Sequence, residues 1–215
     1  MGSVSQIQAQ NSLNEFTDKA VLVLPDASYI QGKDKVLEHF KIGPMPIEDS
    51  KEIFKTAAHR FYDYGMNSFT SNGVNYKEIV ITTQGDDQKR DFVFQSESSS
   101  AQLDKEGLDK AREKWVALCN ANDSKLLIDQ LYHDPTVYYN SGRSPITDKE
   151  ALAREYSYMN NPKYELFLTP IHTEPVTQDL AYEIGQCSGS YPGKYIIIWK
   201  KHPKFGWQVL VDSNI

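Results

Sequence analysis

The chain has 215 residues, 40% hydrophobic, 24% charged and 12% aromatic, with a formal charge of 23 − 29 = −6. That is the composition of a soluble folded protein, long enough for one large domain or two of roughly 100 residues. Its densest basic cluster is Lys200-Lys201 with Lys204, which excludes nucleic acid as a partner, and apolar runs no longer than Ala20–Leu24 and Tyr195–Trp199 exclude a helical membrane span.

No apolar signal region opens the chain; the cytoplasm is favoured and an exported mature form stays open. Cys119 and Cys187 are too few for a disulfide scaffold and have no CxxC spacing, so both are expected as buried small side chains. The sequon Asn122-Asp123-Ser124 is no more than chance supplies.

In chain order, the first stretch that invites a chemical reading is IQGKDKVLEHF, Ile30 to Phe40. Its Gly32-Lys33 lacks the GxxxxGK[ST] context of a phosphate loop, and Glu38-His39 is expected on the exposed face of a helix that starts there. Strand candidates follow at Tyr76–Thr83 and Arg90–Gln95. The serine run inside ESSSAQLD, Glu97 to Asp104, marks a boundary between a first domain at 1–97 and a second at 98–215.

Beyond the boundary, Leu108, Ala111, Trp115, Leu118 and Cys119 recur at helical spacing within a helix from Leu103 to Cys119. A second helix is predicted at Asp123–Tyr132, capped by Asn122 or Asp123. A short strand, Thr136–Asn140, leads to a third helix that starts at a Thr147-x-x-Glu150 capping box. Four strands close the chain: Tyr164–Thr173, Val176–Cys187, Lys194–His202 and Trp207–Val211. Their short Pro and Gly turns call for antiparallel hairpins, so the fold class is α+β: a curved, mostly antiparallel sheet wrapped around helices.

The two halves repeat. Sliding the chain by 116 residues lays Phe16–Phe40 on Tyr132–Tyr156 without a gap, matching Asp18, Val21, Ser28, Ile30 and Lys33 to Asp134, Val137, Ser144, Ile146 and Lys149. Asp63 and Asp179, and Gly73 and Gly189, match at the same lag. The counterpart of the helix at Leu103 would begin at 103 − 116 = −13, so the first domain is expected to lack its first helix. Either the N-terminus is a trimmed one, or the open mouth is covered by something else, such as the second domain or another subunit.

The second half is similar to a domain of the nuclear transport factor 2-like superfamily, the cone-shaped group that includes ketosteroid isomerases, scytalone dehydratase and polyketide cyclases of the SnoaL kind. The likeness is carried by WVALCNAND (Trp115–Asp123), LYHDPTVYY (Leu131–Tyr139), ITDKEALAREY (Ile146–Tyr156), DLAYEIGQ (Asp179–Gln186), YIIIWKK (Tyr195–Lys201) and GWQVLVDSN (Gly206–Asn214). The first half resembles the same family more weakly, so the resemblance implies two cone-like domains in tandem. Its isomerases carry an acidic base after the short strand and a Tyr donor on the first helix. Here those positions hold Tyr139 or Asn140 and Trp115, with Val23 or Leu24 in the first half, so neither group carries over.

Other motifs are weaker. Gly185-Gln186-Cys187-Ser188-Gly189 has the shape of a nucleophile elbow, but a strand follows it where an elbow needs a helix. His39, His59, His133, His172 and His202 make no HExxH and no i, i+4 pair, so no metal site is expected. Glu183 alternates with Asp179 and Ala181 against Leu180, Tyr182 and Ile184, which leaves its facing open. If it lines the cavity, it and His172 are the catalytic candidates. Trp115, Tyr132, Tyr139, Tyr156 and Trp199 are the candidate ligand-binding aromatics.

The sequence therefore points to a small organic ligand in a second-domain cavity of roughly a few hundred Å³, with no metal or nucleotide cofactor. The alternatives are an isomerase, lyase or hydrolase working in that cavity, and an interaction module in which the two domains pair within one chain or two chains form a homodimer.

Overall fold

The computed structural model describes residues 15–44 and 50–214. The chain divides after Ser98 into two compact units. Each is a curved sheet with helical structure packed on it, one helix among the described residues of the first and three of the second, the α+β class read from the sequence.

Unit 1 runs β1 (Phe16–Val23), β2 (Tyr29–Gln31), α1 (Lys33–Phe40), β3 (Lys51–His59), β4 (Tyr62–Ser71), β5 (Val74–Thr83) and β6 (Arg90–Glu97), in the sheet order β2-β1-β6-β5-β4-β3. Helix α1 buries Val36, Leu37 and Phe40 in a core with Phe16, Ala20, Leu22, Val80 and Val93, and leaves Glu38 exposed. The expectation that this unit lacks a first helix concerns residues outside those described.

Unit 2 runs α2 (Lys105–Asn120), α3 (Ser124–Leu131), β7 (Tyr132–Tyr139), α4 (Lys149–Glu155) continuing as a 3-10 turn (Tyr156–Asn160), β8 (Leu166–Thr177), β9 (Leu180–Gly189), β10 (Gly193–His202) and β11 (Gly206–Asn214). Its sheet order is β7-β11-β10-β9-β8. In both sheets the first strand pairs in parallel with the last, β1 with β6 and β7 with β11, while the other ladders are antiparallel. A parallel pair needs a long crossover, and here nearly the whole unit is the crossover.

Helix α2 starts where a carboxylate caps it. Asp104 accepts the Gly107 amide at 3.0 Å and also Lys201 Nζ at 2.6 Å and Trp207 Nε1 at 2.9 Å, so one side chain ties the helix start to β10 and β11. The Lys201 and Trp207 bonds hold its pKa down at about 2. Leu108, Ala111, Trp115, Leu118 and Cys119 enter the core as their spacing predicts, and Arg112 is buried with them.

Two local readings are corrected. Helix α4 is capped by Asp148, whose carboxylate accepts the Ala151 amide at 2.7 Å, and not by Thr147. The hairpin before β9 turns at Gln178-Asp179 rather than at Glu174-Pro175, because β8 runs through both of its prolines. Strand β8 is an edge strand, where a residue without an N–H is tolerated, and Pro170 and Pro175 each sit at a register shift.

The units share their registers. Leu22 pairs with Ile30 on one side and Val93 on the other, and Tyr138 pairs with Ile146 and Asp212. The lag is 138 − 22 = 116 and 146 − 30 = 116. Strands β1 and β7 also bury the same positions, residue for residue.

Candidate functional site

A single inserted residue aims the chemistry of unit 2. Along β11, Val209 pairs with Trp199 and Val211 with Ile198, so Leu210 is an extra residue, a β-bulge. Plain alternation from Trp207 and Val209 would send Asp212 to the opposite face of the sheet. The bulge returns it to the interior, where it pairs with Ile197 of the core. One transverse row then reads Tyr138, Asp212, Ile197, Glu183, Thr173, with two carboxylates two strands, roughly 10 Å, apart.

Glu183 faces the interior and has no solvent exposure. Arg112 Nε donates to both of its oxygens at 3.0 Å, Tyr195 Oη donates at 3.0 Å, Trp199 Nε1 at 3.2 Å and Thr173 Oγ1 at 3.3 Å. Arg112 in turn donates to Asp109 at 2.5 Å. Donors from α2, β8 and β10 thus converge on one carboxylate, which serves as an anchor between helix and sheet. His172 pairs with Ile184 on the other face and lies 3.3 Å from Glu174, so the expected pairing of Glu183 with His172 is not assembled.

Tyr195 reaches Glu183 by passing over Gly185, where an added Cβ would stand 2.2 Å from the Tyr195 ring and hydroxyl. Gly185→Ala is expected to displace that ring and cost about 1–3 kcal/mol in urea denaturation. A cost within measurement error would show that Tyr195 has another way to its partner.

The Asp212 end differs in kind. Tyr132 donates to Oδ2 at 2.6 Å, and the Tyr156 hydroxyl donates to the same oxygen. Among the described residues, no hydrogen bond reaches Oδ1. Burial pushes the carboxyl up to about 6 against the pull of the two hydroxyls. Burial and the neighbouring carboxylate raise Tyr132 and Tyr156 well above the usual phenol range, so both remain neutral donors. Beside them Tyr138 donates to Asn214 Oδ1 at 2.8 Å.

Asp212 lines a cavity of about 60 Å³ together with Trp115, Tyr156, Tyr158, Tyr164, Tyr191 and Tyr195; apolar Leu166, Leu168, Ile197 and Met159, the thiols of Cys119 and Cys187 and the Asn214 amide complete the wall. Tyr158 and Tyr191, 40% and 64% exposed, form its mouth. The volume is a fraction of the few hundred Å³ expected, because the interior of the cone is filled by its own tyrosines. Of the predicted ligand-binding aromatics, Trp115 and Tyr156 line the cavity and Tyr132 supports it through Asp212. Trp199 lies behind it, edge-on to Trp115 at 5.9 Å and bonded to Glu183. Tyr139 pairs with Ser213 and points to the face away from Asp212.

Asp212, Tyr158, Tyr164, Tyr191 and Tyr195 escaped the sequence reading. A lone acid in the apolar strand GWQVLVDSN was the available signal, and the bulge hid which way it pointed. Among the described residues, no three His, Cys, Asp or Glu side chains come together as a metal site.

The equivalent row of unit 1 reads Leu22, Val93, Val80, Gly65, Lys55. Asp212 corresponds to Val93, and Tyr132, Tyr138 and Tyr156 correspond to Phe16, Leu22 and Phe40. The polar atoms are missing as a set, and Phe16 and Phe40 stack at 5.8 Å where unit 2 places two hydroxyls on a carboxylate.

No protein-family model matches the chain, and no curated protein matches it in sequence. In structure it is similar to an NTF2-like protein of unknown function from Shewanella oneidensis, at 12% identity and TM-score 0.44 over 52% of this chain and 98% of that one. It is also similar to an NTF2-like protein from Cytophaga hutchinsonii, at 20% identity and TM-score 0.40 over 52% and 97%. A ketosteroid isomerase-like protein from Erwinia carotovora is similar at 17% identity and TM-score 0.38 over 52% and 95%. These likenesses concern the fold alone.

Proposed function

We propose that the chain is a diverged tandem duplication in which unit 2 binds a small organic molecule, or the compact end of a larger one, against Asp212, Tyr132 and Tyr156. The observation that carries this reading is the set-wise replacement in unit 1. Phe16, Phe40 and Val93 fill the same places with apolar atoms, so the fold does not need the polar set for its core. Burial makes the charged form of this carboxyl costly, and a ligand donor at Oδ1, which takes no hydrogen bond among the described residues, would offset the cost.

A second reading gives the site chemistry. A carboxyl whose pKa is about 6 exchanges its proton near neutral pH, which suits the acid-base group of a cofactor-independent isomerase, lyase or hydrolase. That role goes to Asp212 ahead of Glu183, whose oxygens are already occupied by four side chains. Isomerase chemistry from the family's usual positions is not proposed, since Trp115 offers no hydroxyl and Tyr139 points away.

The test is a fragment screen by NMR on the full chain, with molecules of about four to eight non-hydrogen atoms. Binding to the wild type that is abolished by Leu168→Trp, which fills the cavity wall, is the expected result. No fragment binding, or binding that survives the filled cavity, would overturn the proposal.

A further inference from the structure

Resting on the ligand reading above, the site also carries information about charge. Two other acids of unit 2 that are buried or partly buried have a cation beside them: Glu183 has Arg112 at 3.0 Å and Asp104 has Lys201 at 2.6 Å. Asp212 has two neutral phenols on Oδ2 and no Lys, Arg or His among the residues that line its cavity. The cavity wall therefore holds one carboxylate, no positive charge and six aromatic rings. Anions are excluded by like charge, whereas a cation gains both the carboxylate and the negative faces of the rings.

From this geometry we infer that the unit 2 cavity takes a compact alkylammonium group, its N–H donated to Asp212 Oδ1 and its alkyl groups held among Trp115, Tyr158, Tyr164, Tyr191 and Tyr195. Size agrees with charge. At roughly 10–15 Å³ for each water-sized centre, the cavity of about 60 Å³ holds about four to six non-hydrogen atoms, the size of a trimethylammonium head. Any longer substituent leaves past the exposed Tyr158 and Tyr191.

Trimethylammonium chloride and uncharged tert-butanol, similar in bulk, are titrated into the full chain at pH 7.5 and followed by NMR of the cavity resonances. The expected result is saturable binding of the cation at least tenfold tighter than that of the alcohol. Asp212→Asn is expected to lose at least tenfold in cation affinity while keeping the alcohol's, which also reports that the variant is folded. If Asp212→Asn does not fold, Tyr191→Ala at the exposed mouth replaces it, with a several-fold loss for the cation alone. Alcohol binding as tight as the cation's, or cation binding undiminished in the variant that folds, overturns the ammonium assignment and leaves the small-ligand reading standing. Absence of binding by both probes, together with an empty fragment screen, overturns both.

Discussion

Replacing Arg112 with Met is expected to lower the unfolding free energy of unit 2 by about 3–5 kcal/mol. The guanidinium supplies both of the charged hydrogen bonds to Glu183, a carboxylate with no solvent exposure. Without it a buried charge keeps only the neutral donors Tyr195, Trp199 and Thr173, and helix α2 loses its tie to the middle of the sheet. The double variant Arg112→Met, Glu183→Leu is expected to recover part of the loss. The charge is then gone, but Tyr195 and Trp199 keep buried polar groups without a partner, at about 1–3 kcal/mol each. Urea denaturation followed by tryptophan fluorescence reads unit 2 alone, since Trp115, Trp199 and Trp207 all lie in it. A cost below about 1 kcal/mol for the single variant would show that Arg112 is not what keeps Glu183 buried.

The second large effect belongs to Asp212 and depends on pH. Its carboxyl sits at about 6 in the folded chain against 3.8 for an unperturbed Asp, so the folded state holds the proton more tightly than the unfolded state. Its contribution is most favourable below about pH 4 and is lost as pH rises through 6. By pH 8 the loss amounts to about 3 kcal/mol, at about 1.4 kcal/mol for each pH unit of difference. The groups around it do not titrate in this window. Burial raises Tyr132 and Tyr156 well above the phenol range, Tyr138 to about 12, and the Cys119 thiol above its ordinary value. Stability measured from pH 4 to 8 is therefore expected to fall by about 3 kcal/mol in the wild type relative to Asp212→Asn. Parallel profiles would show that the carboxyl is not held in its protonated form.

The unit 1 set offers a second check on the same residue. Asp212→Val alone is expected to destabilise at pH 5, because two buried hydroxyls lose their acceptor at about 1–3 kcal/mol each. The triple variant Tyr132→Phe, Tyr156→Phe, Asp212→Val restores the combination that unit 1 already packs around Phe16, Phe40 and Val93. At pH 8 it is expected to be at least as stable as the wild type.

Much of the fold was legible because it rests on local periodicity. The apolar stripe from Leu108 to Cys119 became the buried face of α2, and Ile30 and Leu22 pair in unit 1 as Ile146 and Tyr138 do in unit 2, at the lag of 116 read from the sequence. Where a side chain's partner is distant in the chain, the sequence was silent. Arg112 and Glu183 are 71 residues apart, and Tyr132 and Asp212 are 80 apart. Nothing local announces either bond. The strand boundary misread at Pro175 has the same origin, since proline breaks an inner strand but not an edge strand, and position in the sheet is a tertiary property.

The sequence by itself determined the class of fold, the net negative charge and the core face of each helix, because each follows from spacing and composition along the chain. Only the tertiary structure decided that Asp212 is the carboxyl of the cavity and Glu183 the carboxyl of the scaffold. Strand alternation has a period of two, so one extra residue at Leu210 reverses the facing of every side chain beyond it, and that bulge exists only in the pairing of β11 with β10.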